Sequence, residues 1–307
     1  MYSRRQFSKI AMAGMVSYPA LAAKDPTPVA RIKSEVGGIQ IGLHSYSLRS
    51  VPHDKALDAV VSAMQEVGLG RCELFAAQVE PASQGLRGGR GPGDTRAPLT
   101  PEQQAAQKAA AEALTEWRLT APLDYFEGIR RKFNDAGIDI FSYNARFGET
   151  NEEIDRIFAM TKALGAETVT ARIPLPVTTR IGAFANTHKM KVGIQSTDAD
   201  TLMQQLPVSD YFGIDLDIGD FTKAGHDALQ FVHDHYARLT DIHLKDCVSN
   251  GASVPFGQGD SRMKEVLEFL RGKKTSIPMF IDCDYPGTGD SVDEIKKCYA
   301  YVRAALA

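Results

Sequence analysis

Cysteine is scarce in this chain. Four residues, Cys72, Cys247, Cys283 and Cys298, are spread over 307 positions. Their spacing is neither paired nor zinc-finger-like, so no disulfide framework or structural zinc site is expected. They read instead as small buried apolar residues. Long hydrophobic runs are missing too. The best candidate, Ile10 to Ala23, makes a helix of roughly 21 Å against a hydrocarbon core of about 30 Å, which excludes a stable membrane span. Charge of one sign is not in excess: 35 basic and 38 acidic side chains leave a formal net charge of -3. That balance supplies no general field for nucleic acid or anionic lipid. No Ser-His-Asp order or nucleophile elbow is present. What remains is 43% hydrophobic and 24% charged, the composition of a soluble globular protein long enough for a sizeable core.

The first residues form an address. Arg4 and Arg5 precede the apolar stretch, and Ala20 and Ala22 stand at its end, the layout of an export signal over residues 1–23 with cleavage near Ala22. The string SRRQFSK resembles the bacterial twin-arginine signal, with Phe7 in place and Ser8 where an apolar residue is common. The resemblance implies a periplasmic or otherwise exported protein that crosses the membrane folded. A metal could then be chosen before competing copper and zinc are met. Residues 24–37 are expected to form an amino-terminal linker.

From residue 38 to 307, short β-branched runs alternate with amphipathic stretches. Eight strand candidates start at Ile39, Arg71, Ile138, Thr168, Lys191, Phe212, Leu239 and Met279. Helical spacing of apolar residues fills Asp54 to Glu66, Leu123 to Ala136, Asn151 to Leu164, Thr178 to His188, Asp198 to Leu206, Asp227 to Tyr236, Ser261 to Arg271 and Ser291 to Leu306. Helical crossovers demand parallel pairing, and eight β/α units in roughly 280 residues match a single closed (β/α)8 TIM barrel of the α/β class. A doubly wound open sheet is less suited, because HSYSLRSVPHD follows the first strand where a glycine-rich phosphate fingerprint would stand.

One connection is abnormal. Around residues 78–100 the chain reads ASQGLRGGRGPGDTRAP from Ala82, too glycine-rich for a regular element. It is either a flexible surface insertion or a lid bringing Arg87, Arg90 and Arg96 to a substrate. Pro101 to Leu114 should then be a helix on the outside.

Charged residues at the carboxyl ends of barrel strands are costly unless paired or ion-bound. Gln195, Asp217, His243 and Asp282 end the fifth to eighth strands. Two carboxylates, an imidazole and an amide oxygen suit a divalent cation, Mn, Mg, Co or Zn. Singly, such an aspartate is a cap or ion-pair partner and such a histidine a core residue. Asp282, Asp217 and Lys245 are the candidate catalytic residues. His44 and Tyr46, sharing a parity on the first strand, with Arg172 and Asp246, are candidate substrate contacts. Glu73 needs a partner, Arg172 or Lys245. His243 needs one for its second nitrogen, Asp220 or Glu73. Gly257, Gly259 and Asp260 read as a turn.

GIDLDIGDF, DIHLKD, VPFGQGDS and MFIDCDY, with LHSYSLR, EWRLTAPLDYFEGIRRKFNDAGI and FAMTKALGAETVTAR upstream, resemble the xylose-isomerase-like barrels, the sugar phosphate isomerase and epimerase family. The resemblance covers nearly the whole chain after the export signal. It implies one metal ligand from each of strands five to eight, here Gln195, Asp217, His243 and Asp282, and a small sugar as substrate. Gln195, Ser196 and Thr197 stand where a His-Asn-His run is common, Asp220 where a histidine is usual, and Asp282 where a glutamate is usual. Glutamine can bind a metal but cannot abstract a proton at neutral pH. Two-carboxylate epimerisation is therefore impaired, and one-base chemistry remains open. The expected function is a metal-dependent isomerase or epimerase of a free sugar or keto-sugar. The alternatives are a keto-glycoside lyase or hydrolase, and a degenerate carbohydrate-binding barrel. No nucleic-acid partner is expected, and the oligomeric state is not legible.

Overall fold

A computed structural model describes residues 29–80, 98–249, 251–285, 287 and 291–307. The export segment, the start of the expected linker and the middle of the 78–100 insertion, including Arg87, Arg90 and Arg96, lie outside the described residues.

Eight parallel strands close on themselves: β1 Ile39–His44, β2 Arg71–Phe75, β3 Asp139–Asn144, β4 Thr168–Ala171, β5 Lys191–Gln195, β6 Phe212–Asp217, β7 Leu239–Leu244 and β8 Met279–Ile281. Closure is made by β1, which pairs with β8 through Gly42 and Phe280 and with β2 through His44 and Glu73. Among the described residues, ten helices surround the barrel: α1 His53–Val67, α2 Pro101–Thr120, α3 Leu123–Asp135, α4 Asn151–Ala163, α5 Thr178–His188, α6 Ala199–Gln205, α7 Ile218–Lys223, α8 Ala228–His235, α9 Met263–Lys273 and α10 Ser291–Ala305. The fold is thus the single (β/α)8 barrel expected from the alternation. Two helices exceed one per strand. α2 runs on to Thr120, further than its alanine-rich half, behind a Thr100–Gln103 capping box. α7 starts directly from the end of β6, because the Asp217 carboxylate accepts the Asp220 N–H at its N-terminus.

Outward-facing strand residues such as Leu43, Leu74, Ile194, Leu216, Ile242 and Leu244 are fully buried against Val60, Phe126, Phe158 and Val266 of the helices. Each such side chain stabilises the fold by about 1.5–3 kcal/mol on burial. The inward face is different. Alternation with period two places Ser142, Thr168, Asp215 and Asp241 one pleat below Asn144, Thr170, Asp217 and His243. At the amino-terminal end, the Arg71 guanidinium lies 5.2 Å from the Phe141 ring, which packs 5.7 Å from Phe280.

The described part of the expected linker is a strap across the lower end. Ile32 N–H donates to Gly137 O, Ser34 Oγ donates to Ile41 O and accepts the Gly70 N–H, and Glu35–Val36 pairs antiparallel with β1. Only glycine fits at 70, since a Cβ there would lie 1.9 Å from Ile32 O.

Candidate functional site

The carboxyl ends of β1, β2, β6, β7 and β8 bring a cluster of buried polar side chains together. His243, with no exposed surface, is the hub. Its Nε2 donates to Glu73 Oε2 at 2.7 Å, with Asp215 Oδ1 at 3.3 Å. On its other side Nδ1 has no hydrogen-bond partner and faces Asp217 Oδ2 at 4.0 Å and Asp282 Oδ2 at 3.9 Å. The Glu73–His243 contact meets the need for a second-nitrogen partner; Asp220 does not serve it. Glu73 in turn takes the Thr170 hydroxyl at 2.5 Å and the Asn144 amide at 3.2 Å. Its partners are these, rather than the Arg172 or Lys245 expected from the sequence.

Around Asp217 and Asp282 sits one ammonium. Lys245 Nζ lies 2.8 Å from Asp217 Oδ2, 3.1 Å from Asp282 Oδ2, 3.4 Å from Asp220 and 3.5 Å from Asp284. His44, 5% exposed, lies 3.5 Å from Asp282 through Nδ1, and neither ring nitrogen makes a hydrogen bond. Its ring tilts against His243 at 4.4 Å and stacks on Tyr46 at 5.7 Å, while Tyr46 meets Phe75 edge-on at 5.0 Å. An aromatic wall, two imidazoles and two carboxylates therefore share one end of the barrel, the end where (β/α)8 enzymes place their sites.

Charge is distributed unequally among the acids. Burial alone raises the pKa of every carboxyl here. Against that penalty, the positive fields of His243 and His44 hold Glu73 down to about 2. Asp282 is likewise held well below the carboxylate range, burial being outweighed by Lys245 and His44. Asp215 goes the other way, pushed up to about 8 by burial against His243 and further by Glu73. Asp241 is raised well above its ordinary value by burial and by Asp215. Burial alone lowers Lys245, but Asp217 and Asp282 overcome it and keep the ammonium charged.

A divalent cation finds three suitable donors here. His243 Nδ1 and Asp282 Oδ1 are buried and unpartnered, and His44, His243 and Asp282 each offer an atom within 4.8 Å of the others. Asp217 faces the same space, its Oδ1 held by the α7 N-terminus and its Oδ2 by Lys245. His44, His243 and Asp282 fit a cation directly, while Asp217 borders them with both oxygens engaged, and Lys245 competes for the two carboxylates. Gln195 is not joined to them: its amide oxygen accepts from Arg172 Nε at 3.0 Å, and Arg172 also reaches Asp220 at 3.1 Å. Asp246, expected at the substrate, is instead spent on its own loop, accepting the N–H groups of Gly257, Gly259 and Ser261. Gly257 and Gly259 do form the expected turn, while Asp260 accepts from Ser249 N–H.

Asp215 and Asp241 escaped the sequence reading. Each lies two positions before a residue that was found, Asp217 and His243, so strand alternation already placed them on the same inward face. Phe75, Asn144 and Thr170 were also missed, being ordinary strand residues until Glu73 and Tyr46 are seen beside them.

No protein-family model matches the chain, and no curated protein matches it in sequence. Solved structures do. A sugar phosphate isomerase/epimerase from Parabacteroides distasonis shares 12% identity, with a TM-score of 0.59 over 88% of this chain and 98% of its own. The probable 3-DHS dehydratase AsbF of Bacillus anthracis gives 11%, 0.61, 86% and 98% in the same order. A xylose isomerase-like TIM barrel protein from Mycobacterium smegmatis, in complex with magnesium, gives 12%, 0.51, 84% and 92%. The fold is that of the xylose-isomerase-like TIM barrels.

Proposed function

We propose that this chain is a sugar-transforming enzyme that moves a proton at a carbon next to a carbonyl, with a divalent cation held by Asp217, His243 and Asp282. The observation that carries this reading is the unpartnered Nδ1 of His243, turned toward two carboxylates while Glu73 grips the opposite nitrogen. Such an outer hydrogen bond fixes the tautomer and aims a metal-binding imidazole. When bound, a divalent cation polarises a carbonyl or hydroxyl pair as a Lewis acid.

The chain's own residues supply the rest. Asp282, held ionised by Lys245 and His44, is a weak proton acceptor but a firm charge partner. His44, with both ring nitrogens unpartnered beside Asp282, is positioned to exchange a proton with the substrate. Lys245, charged and buried, is placed to balance an oxyanion. Tyr46 and Phe75 give a sugar ring an apolar face. Neighbours of this fold include an isomerase/epimerase and a probable dehydratase, reactions in keeping with proton movement beside a carbonyl. The export expected from SRRQFSK favours free sugars or keto-glycosides over phosphorylated ones.

The test is a panel of free sugars and keto-glycosides, incubated with protein loaded in turn with Mn²⁺, Mg²⁺, Co²⁺ or Zn²⁺ and read by chromatography and mass spectrometry. Isomer formation without mass change, lost in His243→Ala and His44→Ala, is the expected result; cleavage would assign a lyase or hydrolase. No conversion with any metal overturns the enzymatic reading.

A second reading has its own support: Lys245 already places a cation between Asp217 and Asp282, and Gln195 is tied to Arg172. A barrel that binds carbohydrate without turning it over would look like this. Under that reading, sugar is retained but unchanged, and Gln195→His with Asp282→Glu gains metal and activity that the parent lacks.

A further inference from the structure

Beneath the site, the barrel interior holds a second set of acids: Asp215 and Asp241, which the proposed chemistry does not use, and Glu73, which there only orients His243. Glu73, Asp215 and Asp241 are at most 1% exposed, and together with His243 each offers an atom within 4.8 Å of the others. With all three ionised at that spacing, in a medium of low polarity, the carboxylates would repel one another strongly, and one imidazole could not balance them. Both oxygens of Asp215 and Oδ2 of Asp241 lack hydrogen-bond partners. Two further strands add independent donors. Ser142 Oγ on β3 and Thr168 Oγ1 on β4 are fully buried and unpartnered. They lie on the inward face one pleat below Asn144 and Thr170, whose side chains reach Glu73. On β5, Gly193 lets Asp215 and Thr170 stand side by side, since a Cβ there would come within 3.1 Å of both. Buried polar atoms are rarely left unmade, and five orphaned oxygens facing one interior need a common partner.

We propose that the barrel interior is a second cation site, in which the carboxylates of Glu73, Asp215 and Asp241, helped by the Ser142 and Thr168 hydroxyls, hold a hard divalent ion such as Ca²⁺ or Mg²⁺. An all-oxygen donor set selects this class over thiophilic or imidazole-seeking metals. His243 stays above the ion as the donor to Glu73, so its Nδ1 remains free for the mouth of the barrel. With no exposed surface at Asp241 or Glu73, the ion is enclosed as the barrel closes and leaves only when it opens.

The experiment counts metal in the full chain by mass spectrometry after three treatments: folding with Ca²⁺ and Mg²⁺ present, chelation of the native protein, and unfolding followed by refolding in chelator. The native protein is expected to keep one equivalent through chelation and lose it only on refolding. Asp215→Asn with Asp241→Asn, which mimics two protonated acids, should fold without that equivalent and melt at a temperature no longer affected by the metal present during refolding. Asp282→Asn should retain it. If the double variant and the parent carry the same chelator-resistant metal, or neither carries any, the interior site is overturned and the acids hold protons instead. The outcome is independent of the mouth: a chelator-labile ion lost in Asp282→Asn reports the proposed catalytic site, whatever happens below it.

Discussion

Two buried ion clusters stand on opposite sides of the barrel wall, and they are finished differently. Outside, Arg118 of α2 meets Glu80 through two parallel hydrogen bonds of 2.9 and 2.8 Å, the Tyr143 hydroxyl adds a third, and Arg118 also donates to Arg146 O. Inside, three carboxylates crowd one histidine, and oxygens of Asp215 and Asp241 are left unmade. The outer cluster is closed and has nothing further to bind. The inner one and the Asp217–His243–Asp282 mouth above it are open, with buried atoms of Asp215, Asp241, His243 and Asp282 left unpartnered. Completeness of hydrogen bonding, more than burial or charge, separates the structural acid from the functional one.

The contrast is easiest to break at its closed member. Arg118→Ala leaves Glu80 buried without its guanidinium, a loss expected to cost about 3–5 kcal/mol in chemical denaturation, while any conversion of sugar by the folded fraction stays at the parental rate. At the open member the expected loss includes function. Glu73→Gln keeps the size of the side chain but weakens the hold on His243. Metal affinity at the mouth, or activity of the folded protein, should fall about 10–100-fold. Lys245→Met removes the ammonium that competes for Asp217 and Asp282. Mn²⁺ affinity measured by calorimetry should rise about tenfold, equal to about 1.4 kcal/mol, and turnover should fall. Unchanged affinity would mean that Lys245 does not share that space with the ion.

How much of this was written in the sequence depends on the range over which the causes act. Alternation of apolar residues is local, so all eight strands, α1 and the helices from α3 to α10 other than α7 were legible to within a few positions. Strand order then followed from the parallel crossovers. Convergence of Asp217, His243 and Asp282 was legible for the same reason, as each ends a consecutive strand. The partners were not, because they are chosen by neighbours distant in the chain. Gln195 is drawn off by Arg172, 23 positions away, and Glu73 is joined to His243 across 170 positions. Asp246 was misjudged because a strand-end carboxylate facing a loop of free N–H groups is captured by them before any ligand arrives.

The smallest effect concerns a closed member of another kind. Glu153, in the capping box of α4, is partly buried, which would raise its pKa, but the Thr115 hydroxyl and the N–H groups of Thr150 and Glu149 lower it below its ordinary 4.5. A depressed carboxyl contributes stability that is fully present above the unfolded value and lost as the pH falls through the folded one. Glu153→Gln should therefore cost about 1 kcal/mol or less at neutral pH. The difference from the parent should shrink in urea titrations repeated at about pH 4 and below.

The strap under the barrel sets a limit on how far the chain can be shortened from its front. Arg31 is bound to Asn134, Ile138 O and Asp139, and Ile32 and Ser34 to the starts of the second and third strands. Removal of residues beyond Arg31 therefore takes away contacts of the folded barrel, well before the first barrel strand. A cut near Ala22 would leave those contacts in place, whereas a chain recut to start at Gly38 would lose its floor, exposing Gly70 and Gly137 to water.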